Sequence, residues 1–155
     1  MEHRDSVKPR GPKLALLLLL ALGSTLPAAG RGDRVVLIVN AAGPAAALDA
    51  IDIKRLFLGI PVERGDVTLH ALLNDSDEQL KLVFLQYVVS MSDSAYERRL
   101  LMLALAQGRR MPPVYTDGAQ LLAAVAAQPG AVSYAWESAA RRNPHVRILR
   151  ELWHE

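Results

Sequence analysis

The chain has 155 residues, 51% of them hydrophobic, a formal net charge of +2 and no cysteine. That length suits one domain with a sizeable core, and the missing cysteines exclude disulfides, thiolate metal sites and a lipid-modified cysteine. The first 30 residues hold four basic and two acidic residues and leave 14 of each in 31–155, so no nucleic-acid partner is expected, because phosphate-backbone binding needs a clustered positive field.

The leader comes first. Arg4, Lys8, Arg10 and Lys13 precede an apolar run from Leu14 to Leu22, and the small-residue stretch Gly23 to Gly30 follows. This order is that of a secretory signal peptide, with cleavage expected after Gly30. The alternative is an uncleaved anchor, but the apolar run is shorter than the roughly 20 residues a spanning helix needs. The expected organisation is therefore a signal peptide at 1–30 and one domain at 31–155. That domain is expected to be periplasmic or secreted and not a lipoprotein, with membrane contact only through the leader if it is retained.

Val35-Val36-Leu37-Ile38-Val39 is a continuous β-branched and apolar run, which predicts a strand covered on both faces. A loop at Asn40 to Pro44 leads to a helix over 47–59, with Leu48, Ile51, Leu56 and Phe57 on one face and Gly59 as its stop. Pro61 to Asp66 reads as a turn-rich connection and Val67 to Leu73 as a second strand. Asn74-Asp75-Ser76-Asp77 offers N-caps for a helix from Glu78 to Val89. Ser92 or Asp93 caps the next helix, to about Ala106, with Gly108 beyond its last turn. After the Pro112-Pro113 break, Thr116-Asp117 caps a helix from Gly118 to Gln128. Pro129-Gly130 then turns the chain into a strand over Ala131 to Trp136. Ser138 to Pro144 reads as loop with at most one helical turn, Val146 to Leu149 as a last strand, and Glu151 to Glu155 as a frayed end. Strands alternating with helices predict an α/β fold with a small central mixed sheet flanked by helices.

Beyond the leader the histidines are His70, His145 and His154, and none stands in a metal-binding spacing. There is no nucleophile elbow, phosphate loop or dinucleotide fingerprint. Asp75 and Asp77 are more simply helix caps than an acid/base pair. No enzymatic activity, cofactor or metal is expected. Binding has more support, because loops that leave strands and enter helices present free backbone N–H groups and favour an anion. Asn40, Asn74, Ser76 and Thr116 are the polar residues at such places.

Four stretches carry a resemblance. They are Ile51-Asp52-Ile53-Lys54-Arg55-Leu56-Phe57-Leu58-Gly59, Lys81-Leu82-Val83-Phe84, Gln107-Gly108-Arg109-Arg110-Met111-Pro112-Pro113 and Ala126-Ala127-Gln128-Pro129-Gly130-Ala131-Val132-Ser133-Tyr134. In this order they resemble the small secreted members of the periplasmic phosphate-binding-protein-like family, whose larger relatives serve phosphate ABC transporters. The resemblance implies a type 2 periplasmic-binding-protein-like α/β fold, working outside the cytoplasmic membrane, that holds a small oxyanion such as phosphate through Ser, Thr and Arg side chains and helix N-termini. The stretch 31–155 is long enough for about one lobe, or a reduced version of both. The chain departs from the family in having Asn74-Asp75-Ser76-Asp77-Glu78 where relatives have a Ser-Gly-Thr-Arg-like loop, and Ser133 where they have Gly.

The expected ligand-binding residues are Asn40, Asn74, Ser76 and Lys81, with Arg109 as a cationic contact. The expected function is binding of a small anion as an accessory to ABC transport or sensing, with envelope transport or sensor proteins as partners. The alternative is a ligand-less interaction module of the same fold in the cell envelope, which the acidic loop favours.

Overall fold

Every residue of β1 (Val35–Asn40) is buried, and its two faces serve different cores. Val35, Leu37 and Val39 belong to one apolar cluster while Val36 and Ile38 belong to the other, which follows from the two-residue period of a strand. A computed structural model describes residues 34–43, 47–108 and 110–155; the leader expected at 1–30 lies outside the described residues. Both neighbours of β1 are antiparallel: β6 (Ala131–Trp136) on one side and β7 (Val146–Trp153) on the other. Next to β6 runs β3 (Val67–Ala71), parallel to it, and β2 (Val62–Arg64) closes that edge antiparallel to β3. The sheet is mixed, with order β2-β3-β6-β1-β7. A two-strand parallel ladder joins β4 (Leu73–Asn74) to β5 (Val114–Tyr115).

Helices cover both faces, as the doubly buried β1 requires. On one side lie α1 (Ala50–Phe57), α2 (Glu78–Phe84) with a following π-helical turn at Leu85–Val89, and α3 (Asp93–Gln107). On the other lie α4 (Gly118–Ala127) and α5 (Glu137–Arg141). Side chains cap four of the five helices. Asp49, Asp77, Ser92 and Asp117 accept from the N–H three residues on, the arrangement that satisfies one orphan donor of a first turn.

Several sequence expectations are corrected here. The inward face of α1 is Ile53, Leu56 and Phe57, whereas Ile51 is 70% exposed; two residues from Ile53 is about 200° around a helix. The stretch 61–66 is no mere turn, since it contains β2. Residues 137–141 form α5, slightly more than the one helical turn expected in the loop over 138–144. The last strand does not stop at Leu149 but runs to Trp153. Its register against β1 slips twice, between Val35 and Val36 and between Leu37 and Ile38. Each slip gives β7 an extra residue, so Leu149, Leu152 and Trp153 all pack on the first cluster, which strict alternation forbids. Bulges also protect this outer strand from pairing with another chain.

Ser133 occupies the core side of β6 with no exposure and donates from Oγ to the Leu72 carbonyl at 2.7 Å. Leu72 lies in the break between β3 and β4, where a ladder bond is unavailable to that oxygen, so the hydroxyl supplies it. Ser133→Ala is expected to cost about 1–3 kcal/mol, the penalty for a buried acceptor left unpaired. A urea midpoint equal to that of the unaltered chain would show that the Leu72 oxygen does not need this hydroxyl.

Candidate binding cleft

The parallel pairing of β4 with β5 brings two strand ends together. Leu73 stands opposite Val114 and Asn74 opposite Tyr115, and the N–H of Asp75 continues the ladder to the Tyr115 carbonyl at 2.8 Å. Each strand then enters a helix, β4 into α2 and β5 into α4, so two helix N-termini lie side by side. Ligands of α/β folds commonly bind at such carboxyl ends of strands. The loops touch: a side chain at Gly118 would place its Cβ 3.3 Å from the Ser76 hydroxyl. Between these N-termini and α5 opens a cleft of about 800 Å3.

One wall is built on Asn74. It is 3% exposed, and its Nδ2 donates to the Tyr134 carbonyl at 2.9 Å. Its Oδ1 accepts from the Ser76 N–H at 3.1 Å and from the Ser76 hydroxyl at 2.6 Å. The Tyr134 hydroxyl returns a bond to the Asn74 carbonyl at 2.8 Å. Asn74 thus spends its amide on shaping the loop, and Ser76 keeps its acceptor lone pairs for the cleft. Burial pushes the Tyr134 phenol well above the usual range, so it stays a neutral donor.

The two helix starts are capped alike, and the Asp77 carbonyl also takes the Lys81 N–H at 3.0 Å. Asp77 accepts from Leu80 N–H at 2.9 Å through Oδ1 and from the Trp136 indole at 3.1 Å through Oδ2. At α4, Asp117 Oδ1 takes the Gln120 N–H at 2.8 Å and its carbonyl takes the Leu121 N–H at 3.0 Å. The N–H groups of Gly118 and Ala119, which also line the cleft, are the first two of the helix and have no intrahelical acceptor. Arg142 and His145 stand on the far side, both exposed, at the end of α5 and in the turn before β7.

Of the five residues expected from the sequence, the fold brings Asn74 and Ser76 to this cleft. Asn40 lies at the other end of α4: its Nδ2 donates to the Ala126 carbonyl and its Oδ1 accepts from Ala42 N–H at 2.7 Å. Lys81 reaches away to Asp75 at 3.2 Å and Asp93 at 3.1 Å, clamping the start of α3 to the loop before α2. Its burial works against the charge, but the carboxylates of Asp93 and Asp75 outweigh that and hold its pKa above the ordinary lysine value. Arg109 lies outside the described residues. Residues that sequence reasoning did not assign to the site are Asp117, Gly118, Trp136, Arg142 and His145. The capping pattern at Thr116-Asp117 was the one signal for the α4 wall; nothing local marks Arg142 or His145.

No protein-family model matches the sequence, and no curated protein does. The fold, however, is similar to solved phosphate receptors. An ABC-type phosphate transport receptor from Vibrio cholerae aligns with a TM-score of 0.57 and 12% identity, covering 76% of this chain and 46% of the receptor. A possible phosphate binding protein from Planctomyces limnophilus gives 0.52 and 13%, covering 76% and 41%. PstS from Borrelia burgdorferi gives 0.53 and 11%, covering 72% and 44%. The chain spans less than half the length of each of these proteins. Its mixed sheet with helices on both faces is therefore similar to part of the fold of these proteins, a part about the size of one lobe.

Proposed function

We propose that the chain works outside the cytoplasmic membrane as a binding-protein-like domain that takes a small oxyanion such as phosphate, as an accessory to an ABC transport or sensing system. The observation that carries this reading is the convergence of the α2 and α4 N-termini on one cleft, where the N–H groups of Gly118 and Ala119 are free of helix bonds and which Arg142 also lines. A helix N-terminus offers both partial positive charge and donors, and a guanidinium adds a planar fork matched to an oxyanion. The hydroxyl of Thr116 adds a further donor, whereas that of Ser76 is already given to Asn74. One solved neighbour is described as an ABC-type phosphate transport receptor and another as a possible phosphate binding protein, which agrees with this ligand class.

Asp77 and Asp117 in the same cleft oppose a fully ionised ligand. Their presence favours a second reading, the same fold kept as a ligand-less interaction module of the cell envelope. Calorimetry on the chain from Arg31 separates the two. Phosphate is expected to release or absorb heat, and Arg142→Gln to weaken that binding by about tenfold, as for loss of one charge-assisted contact. No heat at millimolar phosphate or sulfate would sink the oxyanion reading and leave the interaction module.

A further inference from the structure

The helix α3 is apolar on two sides, and only one of them faces the core. Tyr96 and Leu100 are buried. Leu101, Met102 and Leu105 are 51%, 59% and 75% exposed. At about 100° per residue Leu105 lies opposite Tyr96, and the spacing 98, 101, 102, 105 sets Arg98 on the same outward stripe. Scattered exposed apolar residues need no explanation, but a stripe on one helix does.

Its charge setting names the occupant. From the first residue of α3 to Thr116 the sequence has four arginines, at 98, 99, 109 and 110, against two carboxylates, Asp93 and Glu97, and Asp93 is paired with Lys81. Arg98, Arg99 and Arg110 are exposed, as is Met111 beyond the helix end. The stretch is thus positive in a domain that is neutral as a whole. We propose that the outward stripe of α3 docks on an anionic phospholipid surface, with Leu101, Met102 and Leu105 entering the headgroup boundary and Arg98 and Arg99 meeting lipid phosphates. Apolar insertion and basic flanks reinforce each other at such an interface. A second copy is the poorer occupant, because it would set one net-positive face against another. This contact is separate from the leader, to which the sequence reading confined membrane contact, and it does not depend on the cleft.

The test is co-sedimentation with vesicles of phosphatidylcholine alone or with added phosphatidylglycerol. The material is the chain from Arg31, the start expected once the leader is cleaved, which keeps every described residue of both core clusters. Binding is expected to phosphatidylglycerol vesicles only, and to fall with salt as surface charges are screened. R98Q/R99Q is expected to reduce partitioning about tenfold or more, at roughly one favourable step per basic residue, and L101Q/L105Q to abolish it. All four positions are exposed, so circular dichroism should match the unaltered chain; if the leucine variant fails to fold, the arginine pair decides. No binding to phosphatidylglycerol vesicles, binding untouched by the arginine variant, or a concentration-dependent dimer that L101Q/L105Q disperses would each overturn the proposal.

Discussion

Gly130→Ala is expected to destabilise the chain by about 3 kcal/mol, the upper part of the range for forcing atoms into a packed site. Gly130 is buried at the corner between α4 and β6, and a Cβ there would lie 2.3 Å from the Thr68 carbonyl oxygen. That contact is with backbone, and the backbone has no room to yield. Thr68 is held across the β2–β3 hairpin opposite Glu63. The Gly130 carbonyl meanwhile accepts from His70 N–H at 2.9 Å, the first bond of the short parallel pairing between β3 and β6. Relieving the clash therefore means parting β3 from β6, the link that holds the β2–β3 edge on the sheet. The measurement is urea unfolding followed by circular dichroism, and a midpoint within error of the parent would show that the corner moves freely. The glycine is required by space, since its φ is not in the left-handed region.

A still larger loss is expected for Phe84→Ala, about 3–5 kcal/mol, as for other aromatic truncations in cores. Phe84 is 1% exposed. Its ring stacks on Tyr134 with centroids 3.7 Å apart and meets the Phe57 edge at 4.6 Å. Three elements, α1, α2 and β6, share this cluster, so none can collapse into the space without giving up another contact. In a domain of this size the melting temperature should fall by about 10 °C. The change should also reach the cleft, because Tyr134 holds Asn74 through two hydrogen bonds and Asn74 holds Ser76. Thermal melts with and without phosphate test both effects, and a melting temperature unchanged by Phe84→Ala would contradict the packing account.

Much of the fold was legible because local chemistry dictates it. An unbroken β-branched run such as Val35 to Val39 has few alternatives to a strand covered on both sides. Asp77, Ser92 and Asp117 cap helices where the sequence places caps, and Gly59 and Gly108 take the positive φ that a helix end needs. The Pro129-Gly130 corner stands where these two residues predict it. The end of β7 was hidden, since its two bulges break the alternation by which a strand is recognised. The face of α1 was misjudged at Ile51 for a related reason: a helix with apolar residues at 51, 53, 56 and 57 has more candidates than one face can hold, and the core selects among them.

The site was less legible than the fold. Caps and turn residues were visible as types, but a buried asparagine that shapes a loop and one that holds a ligand read alike in a sequence. Asn40 and Lys81 show this, since each finds its partners within the protein, at Ala126 and at Asp75 and Asp93. What the sequence by itself determined is the main helices and the central strands, the caps at Asp77, Ser92 and Asp117 and the corner before β6, because these rest on interactions between residues a few positions apart. What only the tertiary structure decided is which loops meet. The pairing of β4 with β5 sets Ser76 beside Gly118, and the turn from α5 into β7 carries Arg142 and His145 to the facing wall. Those encounters depend on strand register and layer packing, which are properties of the whole chain and leave no mark in any short stretch of it.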